Sequence, residues 1–184
     1  VIQNVNVNES RIGIINILNK MGADIKLVRK KIYKGEKIAN IHVKSKDNLK
    51  AINCPPKLNS SAIDEFLIIF LVAAKSKGIS KFKNLGEMNK KESKRLDLGV
   101  KFLRSIGIKV DRFKENVNIH GNPNLILSKK FEMKNFLKDH RIFFLSCITA
   151  LTLGGKWKIT DKDSINTSFP NFLKILKKIG AQIH

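Results

Sequence analysis

Cysteine is scarce in this sequence, with Cys54 and Cys147 as the only two among 184 residues. Cys54 precedes Pro55 and Pro56, and Cys147 lies inside an apolar stretch, so neither residue belongs to a spaced set of the kind that disulfide frameworks and zinc sites require. Such cysteine usage fits a reducing compartment best. We therefore expect a cytoplasmic protein.

Long hydrophobic runs are also lacking. The longest, residues 66–74, is too short to cross a bilayer and instead predicts a buried helix, so no membrane partner is expected. No signal or transit segment can be recognised. The chain begins with Val1 instead of Met, and we expect it to be a fragment of a longer protein.

Acidic residues are few: Asp and Glu total 15 against 36 Lys and Arg, which gives a formal net charge of +21. This charge favours anionic partners, which could be metabolites, nucleic acid or an acidic membrane surface. A nucleic-acid groove usually adds arginine runs and stacked aromatic side chains. Here the lysines are scattered, and there is one Trp and one Tyr.

Three glycines mark an internal repeat. Gly22, Gly107 and Gly180 each follow apolar residues one, four and seven positions earlier, and each precedes apolar residues one and three positions later. This pattern predicts an amphipathic helix that ends at glycine and continues into a strand. The glycines are separated by roughly the length of a supersecondary unit, which indicates a repeated fold.

Two further helices are predicted to be apolar nearly all round, at residues 64–77 and 139–153. Helices of this kind are buried on every side. Each ends at glycine and leads into a strand, so the repeating order is buried helix, strand, amphipathic helix and paired strands. The sequence thus predicts an α/β fold of βαβαββ units, present nearly three times, whose first copy lacks its buried helix. The strands expected in that first copy are residues 1–7, 23–27 and 38–43, with a helix opened by residues 8–11.

Residues 89–96 combine a capping signal, a carboxylate and cations. Asn89 followed by Glu92 predicts a capping box at a helix start, which would place Lys91 and Arg95 one turn apart on one face. Free N–H groups at a helix start, together with two cations, favour a phosphate or a carboxylate. The alternative is that Glu92 only caps the helix and the lysines are a solvated surface.

Other chemically active residues also gather at predicted helix starts. Taken singly, Asp64 and Asp139 could be N-caps and Arg141 a surface cation. If the repeats pack around a pseudo-threefold arrangement, however, these helix starts lie on one side and form a plausible acid–base site for a phosphorylated substrate. The residues at these helix starts are Asp64, Lys91, Glu92, Arg95, Asp139, His140, Arg141, Thr167 and Ser168.

Four motifs in this order and at this spacing resemble the EPSP synthase (3-phosphoshikimate 1-carboxyvinyltransferase) family. The resemblance covers essentially the whole chain, and the joint occurrence is more specific than any single motif. Residues 8–13, Asn-Glu-Ser-Arg-Ile-Gly, also resemble the family's Asn-Pro-Thr-Arg-Thr-Gly. The motifs are Ile63-Asp64-Glu65, Lys91-Glu92-Ser93-Lys94-Arg95-Leu96, Asp139-His140-Arg141-Ile142 and Thr167-Ser168-Phe169-Pro170.

The resemblance implies the enolpyruvyl transferase fold, in which each of two lobes is an inside-out α/β barrel of three βαβαββ units. Residues 1–184 would be the C-terminal part of such an enzyme, incomplete at the N-terminus. Its substrates would be phosphoenolpyruvate and shikimate 3-phosphate, bound between the lobes. We therefore expect the chain alone to be inactive and to need the missing N-terminal portion. The resemblance also implies a monomer when full length, no metal or organic cofactor, and no specific nucleic acid.

Site roles also follow from the resemblance. Asp64 would be the proton acceptor near the 5-hydroxyl of shikimate 3-phosphate, and Glu92 the carboxylate that exchanges the methylene proton. Lys91, like Asp64, would contact shikimate 3-phosphate. Arg95 and Arg141 would hold phosphoenolpyruvate, since a planar guanidinium suits carboxylate and phosphate. The residues with supporting roles would be Asp139, His140, Thr167 and Ser168.

The chain departs from the usual family motif at Asn89 and Lys94, where an arginine and an aspartate are common. Some members carry a lysine where Thr167 stands. Three other functions remain as alternatives: the sister enolpyruvyl transferase acting on UDP-N-acetylglucosamine, a basic nucleic-acid-binding module, and a non-catalytic remnant.

Overall fold

The computed structural model describes residues 1–136 and 138–183. Helices and strands alternate along the chain, as the hydropathy pattern predicts. Among these residues, no helix is both long enough and apolar enough to span a bilayer. The elements in chain order are β1 Ile2–Asn6, α1 Gly13–Lys20, β2 Asp24–Tyr33, β3 Glu36–Lys44, α2 Phe66–Lys75, β4 Gly78–Phe82, α3 Arg95–Ser105, β5 Val110–Phe113, β6 Asn116–Gly121, β7 Leu127–Met133, α4 His140–Leu153, β8 Gly154–Ile159 and α5 Phe172–Lys178.

The sheets repeat one topology. Strands β1, β3 and β2 form a sheet in that order, with both pairs antiparallel, and β4, β6 and β5 do the same. The segment before α2 makes parallel bridges beside β4, from Lys50 to Lys77 and from Asn53 to Lys81. Strands β7 and β8 are likewise parallel. The middle βαβαββ unit is therefore complete, and the described residues hold parts of a unit on each side of it.

The core lies between the helices and the inner faces of these sheets. The aromatic rings of Phe66, Phe70 and Phe82 meet with centroids 5.1–6.0 Å apart, and all three side chains are buried. As expected for apolar helices, α2 and α4 lie innermost, with α3 packed on both. This packing brings the N-terminal ends of α2, α3 and α4 together.

The first helix begins later than predicted. Residues 8–12 form a turn in which the Asn8 Oδ1 atom accepts from the Ser10 N–H at 3.2 Å, and α1 starts at Gly13. A Cβ atom at Gly13 would lie 2.5 Å from the Ser61 carbonyl carbon, so glycine lets α1 approach the segment before α2. The turn leaves Arg11 outside the helix and near the start of α2.

Replacing Gly99 by valine should destabilise the chain. A Cβ atom at this α3 position would lie 2.6 Å from Leu67 Cδ2, and Leu67 is buried among core residues. Overpacking of this kind costs about 1–3 kcal/mol, which chemical denaturation would measure. The matched control is Lys101→Val on the same helix, where the side chain is exposed. Because valine has a higher helix propensity than glycine and a lower one than lysine, a loss in Gly99→Val no larger than that in Lys101→Val would show that the contact with Leu67 is not overpacked.

Candidate active site

The start of α3 differs from the predicted capping box. The helix begins at Arg95, and the Asn89 Oδ1 atom accepts the N–H groups of Leu96 (2.9 Å) and Asp97 (3.3 Å) from across a loop. Glu92 pairs with Arg95 instead of returning to Asn89. The predicted capping box is wrong because the backbone of Lys91 is extended, with φ −89° and ψ −163°, so α3 does not start at Asn89. Lys91 and Arg95 are therefore not one helical turn apart.

Lys91 and Arg95 nevertheless meet at the carboxylate of Asp64. Lys91 Nζ lies 3.5 Å and Arg95 Nη1 3.4 Å from Asp64 Oδ1. Arg11 Nη1 lies 3.7 Å and Arg141 Nη2 3.9 Å from Oδ2. Asp64 stands in the turn before α2 and is not its N-cap; Glu65 occupies that position, and its side chain makes no capping hydrogen bond. Cations from three repeat units thus surround one carboxylate.

Arg95 is the centre of the ion-pair cluster. Its side chain is 1% exposed, and its guanidinium reaches Asp139 (Nε to Oδ2, 3.1 Å), Asp64 and Glu92. A planar guanidinium presents several donors in fixed directions, so it can serve these carboxylates together. The arrangement ties the start of α3 to the starts of α2 and α4.

Asp139 connects α3 to α4. Its buried carboxylate accepts from Ser93 Oγ at 2.6 Å and from Arg95, and it caps α4 by accepting the Arg141 N–H at 2.9 Å. Burial alone would raise the pKa of Asp139, but the Ser93 hydrogen bond and the Arg95 charge outweigh it, so the pKa is lowered. Sequence reasoning missed Ser93, whose only signal is its place inside the Lys-Glu-Ser motif.

Ser93→Ala should lower the stability of the chain at neutral pH and raise the pH at which acid unfolds it. A lowered carboxyl pKa gives stability above the unfolded pKa that is lost as pH falls through the folded pKa. Without the Ser93 donor, the pKa of Asp139 rises, so unfolding begins at a higher pH, and stability at neutral pH falls by about 1–3 kcal/mol. Circular dichroism during acid titration measures this. Ser105→Ala removes a hydroxyl that donates to the Phe102 carbonyl oxygen and should not move the acid midpoint.

Arg141 is the more accessible of the two arginines predicted to bind phosphoenolpyruvate. Its side chain is 31% exposed, and Nη1 donates to the Asp64 carbonyl oxygen at 3.0 Å and to Glu65 Oε1 at 3.4 Å. Its buried Nε has no hydrogen-bond partner among the described residues. Burial raises the pKa of Glu65, although Arg141 opposes that shift. Sequence reasoning did not select Glu65 as a site residue.

The structure does not bring three of the predicted supporting residues into the cluster. The ring of His140 packs edge-on against Phe144, with centroids 5.8 Å apart. Thr167 and Ser168 were expected at a helix start, but α5 begins at Phe172. Ser168 Oγ instead donates to the Ile165 carbonyl oxygen at 3.5 Å. Within residues 1–136 and 138–183, no polar contact joins these three side chains to Asp64.

Charge in the cluster is balanced. Asp64, Glu65, Glu92 and Asp139 oppose the cations Arg11, Lys91, Arg95 and Arg141. Each of these cations already has an acidic partner, so an incoming anion would compete with the carboxylates for the same donors. Glu92 is the most exposed of these carboxylates, at 58%, and is the easiest to displace.

Sequence similarity links the chain to a known protein family. The family profile described as EPSP synthase (3-phosphoshikimate 1-carboxyvinyltransferase) matches residues 1–176. The chain belongs to the EPSP synthase family. This result confirms the family that the four motifs indicated, and with it the enolpyruvyl transferase fold of repeated βαβαββ units.

Relatives named 3-phosphoshikimate 1-carboxyvinyltransferase match over nearly the whole chain. That of Vesicomyosocius okutanii is 37% identical over 179 residues, which are 97% of this chain and 40% of the relative. That of Zymomonas mobilis is 33% identical over 184 residues, 99% of this chain and 40% of the relative. The chain therefore spans about 40% of the length of these EPSP synthase relatives.

Solved structures agree with the family assignment. An EPSP synthase from Acinetobacter baumannii superposes with a TM-score of 0.90 at 31% identity, covering 99% of this chain and 42% of the other. The enolpyruvyl transferase NikO from Streptomyces tendae has a TM-score of 0.58 at 14% identity, covering 94% and 36%. The second likeness shows a shared fold.

Proposed function

We propose that this chain supplies part of the active site of a 3-phosphoshikimate 1-carboxyvinyltransferase. The complete enzyme would transfer the enolpyruvyl group of phosphoenolpyruvate to the 5-hydroxyl of shikimate 3-phosphate and release phosphate, a step in chorismate and aromatic amino-acid synthesis. The observation that carries this proposal is the meeting of Arg11, Lys91, Arg95 and Arg141 at Asp64, in a chain whose relatives carry that enzyme name.

Two carboxylates are suited to the proton transfers. In the addition step, the 5-hydroxyl oxygen bonds to C2 of phosphoenolpyruvate, the hydroxyl proton passes to Asp64, and C3 gains a proton. In the elimination step, C3 loses a proton and the bond from C2 to the phosphate oxygen breaks. Glu92 would give and take the C3 proton, since its side chain is 58% exposed and can follow the substrate.

The cations would hold the two anionic substrates. Lys91 already forms an ion pair with Asp64, and it would contact shikimate 3-phosphate beside that carboxylate. Arg95 and Arg141 would hold the carboxylate and phosphate of phosphoenolpyruvate. Because Arg95 already engages three carboxylates, substrate binding would displace Glu92 from it. Asp139 would keep Arg95 in place throughout.

Four assigned residues have supporting roles in this proposal. Asp139 would position Arg95, and His140 would pack on Phe144 one turn later in the same helix. Thr167 and Ser168, which lie outside the Asp64 cluster, would act only when the substrates are bound.

The chain would work only with the rest of the enzyme. We propose that residues 1–184 are the C-terminal part of an enolpyruvyl transferase domain and that the missing N-terminal portion completes the cleft. In support, the chain spans about 40% of its curated relatives. The complete enzyme would be a cytoplasmic monomer that binds small anions and no specific nucleic acid.

Phosphate release from phosphoenolpyruvate with shikimate 3-phosphate tests this proposal. Three samples are compared. The first is this chain alone, and the second is the part of the Vesicomyosocius okutanii relative that the match does not cover. The third is a fusion in which that part precedes this chain. We expect release by the fusion and by neither piece. Turnover by the isolated chain, or a folded but inactive fusion, would contradict the proposal.

A further inference from the structure

Lys91 and Glu92 stand on an exposed loop between two buried anchors. Before them, Met88 is fully buried in the core. After them, Ser93 is buried and donates to Asp139 at 2.6 Å. Lys91 and Glu92 lie outside α3, and the backbone of Lys91 is extended, so the attachment of the two loop ends decides where these side chains stand.

Asn89 ties the first end of this loop to the helix that follows it. Its Oδ1 atom accepts the N–H groups of Leu96 (2.9 Å) and Asp97 (3.3 Å), and its Nδ2 atom donates to Asp97 Oδ1 at 2.8 Å. The amide oxygen and nitrogen cannot exchange places, because an ionised carboxylate only accepts hydrogen bonds and a backbone N–H only donates them. One side chain therefore joins residue 89 to the first turn of α3 through three hydrogen bonds.

Asp97 is in turn held by the neighbouring sheet. Arg112 on β5 pairs with Asp97 Oδ1 at 2.5 Å, and the Nε atom of Arg112 donates to the Lys114 carbonyl oxygen at 3.0 Å. Asn89, Asp97 and Arg112 thus form a chain of contacts, which we call the Asn89 network, from the site loop to β5. Asn89 is also a position where the chain departs from the usual family motif, so the motif does not predict this network.

We propose that Asn89 is a positioning residue, which holds Lys91 and Glu92 where the substrates need them. The proposal rests on the proposed function for the roles of those two side chains. The Nζ atom of Lys91 has to stay beside Asp64, at 3.5 Å, to meet shikimate 3-phosphate. Glu92 has to release Arg95 when the substrates bind and return to it afterwards. The hold on the loop matters because a misplacement of about 1 Å can cost about a hundredfold in rate.

Asn89→Ala in the fusion enzyme should affect the two substrates differently. Because Lys91 and Glu92 are then less well placed, KM for shikimate 3-phosphate should rise about tenfold and kcat should fall about 10- to 100-fold. KM for phosphoenolpyruvate should stay unchanged, because Arg95 keeps its bond to Asp139. A residue that only stabilises the fold would lower kcat through the folded fraction and leave both KM values unchanged.

Two comparisons test whether the hydrogen bonds are responsible. Asn89→Asp combined with Asp97→Asn exchanges the amide and the carboxylate, so the three bonds can form again, and this exchanged pair should recover KM and kcat. Asn19→Ala is the matched control. The side chain of Asn19 also bonds the backbone of a later residue, Ile25 (3.1 and 3.3 Å), but lies away from the site, so its loss should leave KM and kcat unchanged.

Backbone dynamics test the positioning without requiring turnover. In the 184-residue chain, ¹⁵N relaxation should give Lys91 and Glu92 the order parameters of a rigid backbone, about 0.85, and Asn89→Ala should lower them below about 0.6. The exchanged pair and Asn19→Ala should keep the values of the unchanged chain.

The outcomes separate positioning from the proposed function. Lower order parameters in Asn89→Ala, with an unchanged fusion enzyme that folds but releases no phosphate, would support the hold on the loop and contradict the proposed function. Equal order parameters in a folded Asn89→Ala chain would overturn the positioning role. A fall in kcat with both KM values unchanged, or no recovery in the exchanged pair, would also overturn it.

A second variant keeps the test decisive if Asn89→Ala does not fold. Asn89→Asp alone retains an acceptor for the N–H groups of α3 but places a second carboxylate against Asp97. It should raise KM for shikimate 3-phosphate and lower the order parameters of Lys91 and Glu92. Values equal to those of the unchanged protein would overturn the positioning role.

Discussion

Asp64→Asn should lower kcat of the completed enzyme about 10²–10⁴-fold, the range for loss of a positioned general base. Asparagine keeps the size of the side chain but cannot take the 5-hydroxyl proton. It also leaves Arg11, Lys91 and Arg141 without their shared carboxylate. Steady-state phosphate release by the fusion enzyme measures the effect, with the melting temperature recorded alongside.

Asp24→Asn is the matched control for Asp64→Asn. Asp24 pairs with Lys26 at 3.7 Å on β2, away from the cluster, so the same chemical change should leave kcat unchanged. A normal kcat in a folded Asp64→Asn enzyme would show that Asp64 is a structural partner of the cations and not the base.

Arg95→Met should destabilise the isolated chain by about 3–5 kcal/mol, the usual cost of removing one partner of a buried ion pair. The variant leaves the fully buried Asp139 without its cation and frees Asp64 and Glu92 from a shared donor. A loss of this size is a large part of the total stability of an ordinary domain. Urea denaturation followed by circular dichroism measures it.

A more exposed arginine provides the comparison for Arg95. Arg112 pairs with Asp97 at 2.5 Å, with 28% and 40% of their side chains exposed, so Arg112→Met should cost about 0–1 kcal/mol. If the two methionine variants lose equal stability, the buried cluster does not hold the three helix starts together.

The repeat was predictable because its signals are local. Gly107 at the end of α3, for example, has a φ of +88°, a conformation that glycine adopts readily, and apolar periodicity marks the helix before it. The all-round apolar character of α2 and α4 likewise indicated helices inside the core. These features depend on residues a few positions apart, so the sequence carries them without knowledge of the tertiary structure.

The start of α3 and the balance of charge in the site were not predictable. Asn89 accepts from backbone N–H groups seven and eight residues later, because an extended residue lies between them. No capping pattern covers that distance, so the sequence does not indicate the contact. Ser93 meets Asp139 across 46 residues, and Glu65 meets Arg141 across 76. Contacts of this kind depend on how the repeat units pack, so the motifs predicted an anion site but not that carboxylates fill it.

The acceptor preference of the fusion enzyme distinguishes the two enolpyruvyl transferase activities. Phosphate release from phosphoenolpyruvate is measured with either shikimate 3-phosphate or UDP-N-acetylglucosamine at equal concentration. We expect release with shikimate 3-phosphate alone. Release with UDP-N-acetylglucosamine alone, or with neither acceptor in a folded enzyme, would contradict it.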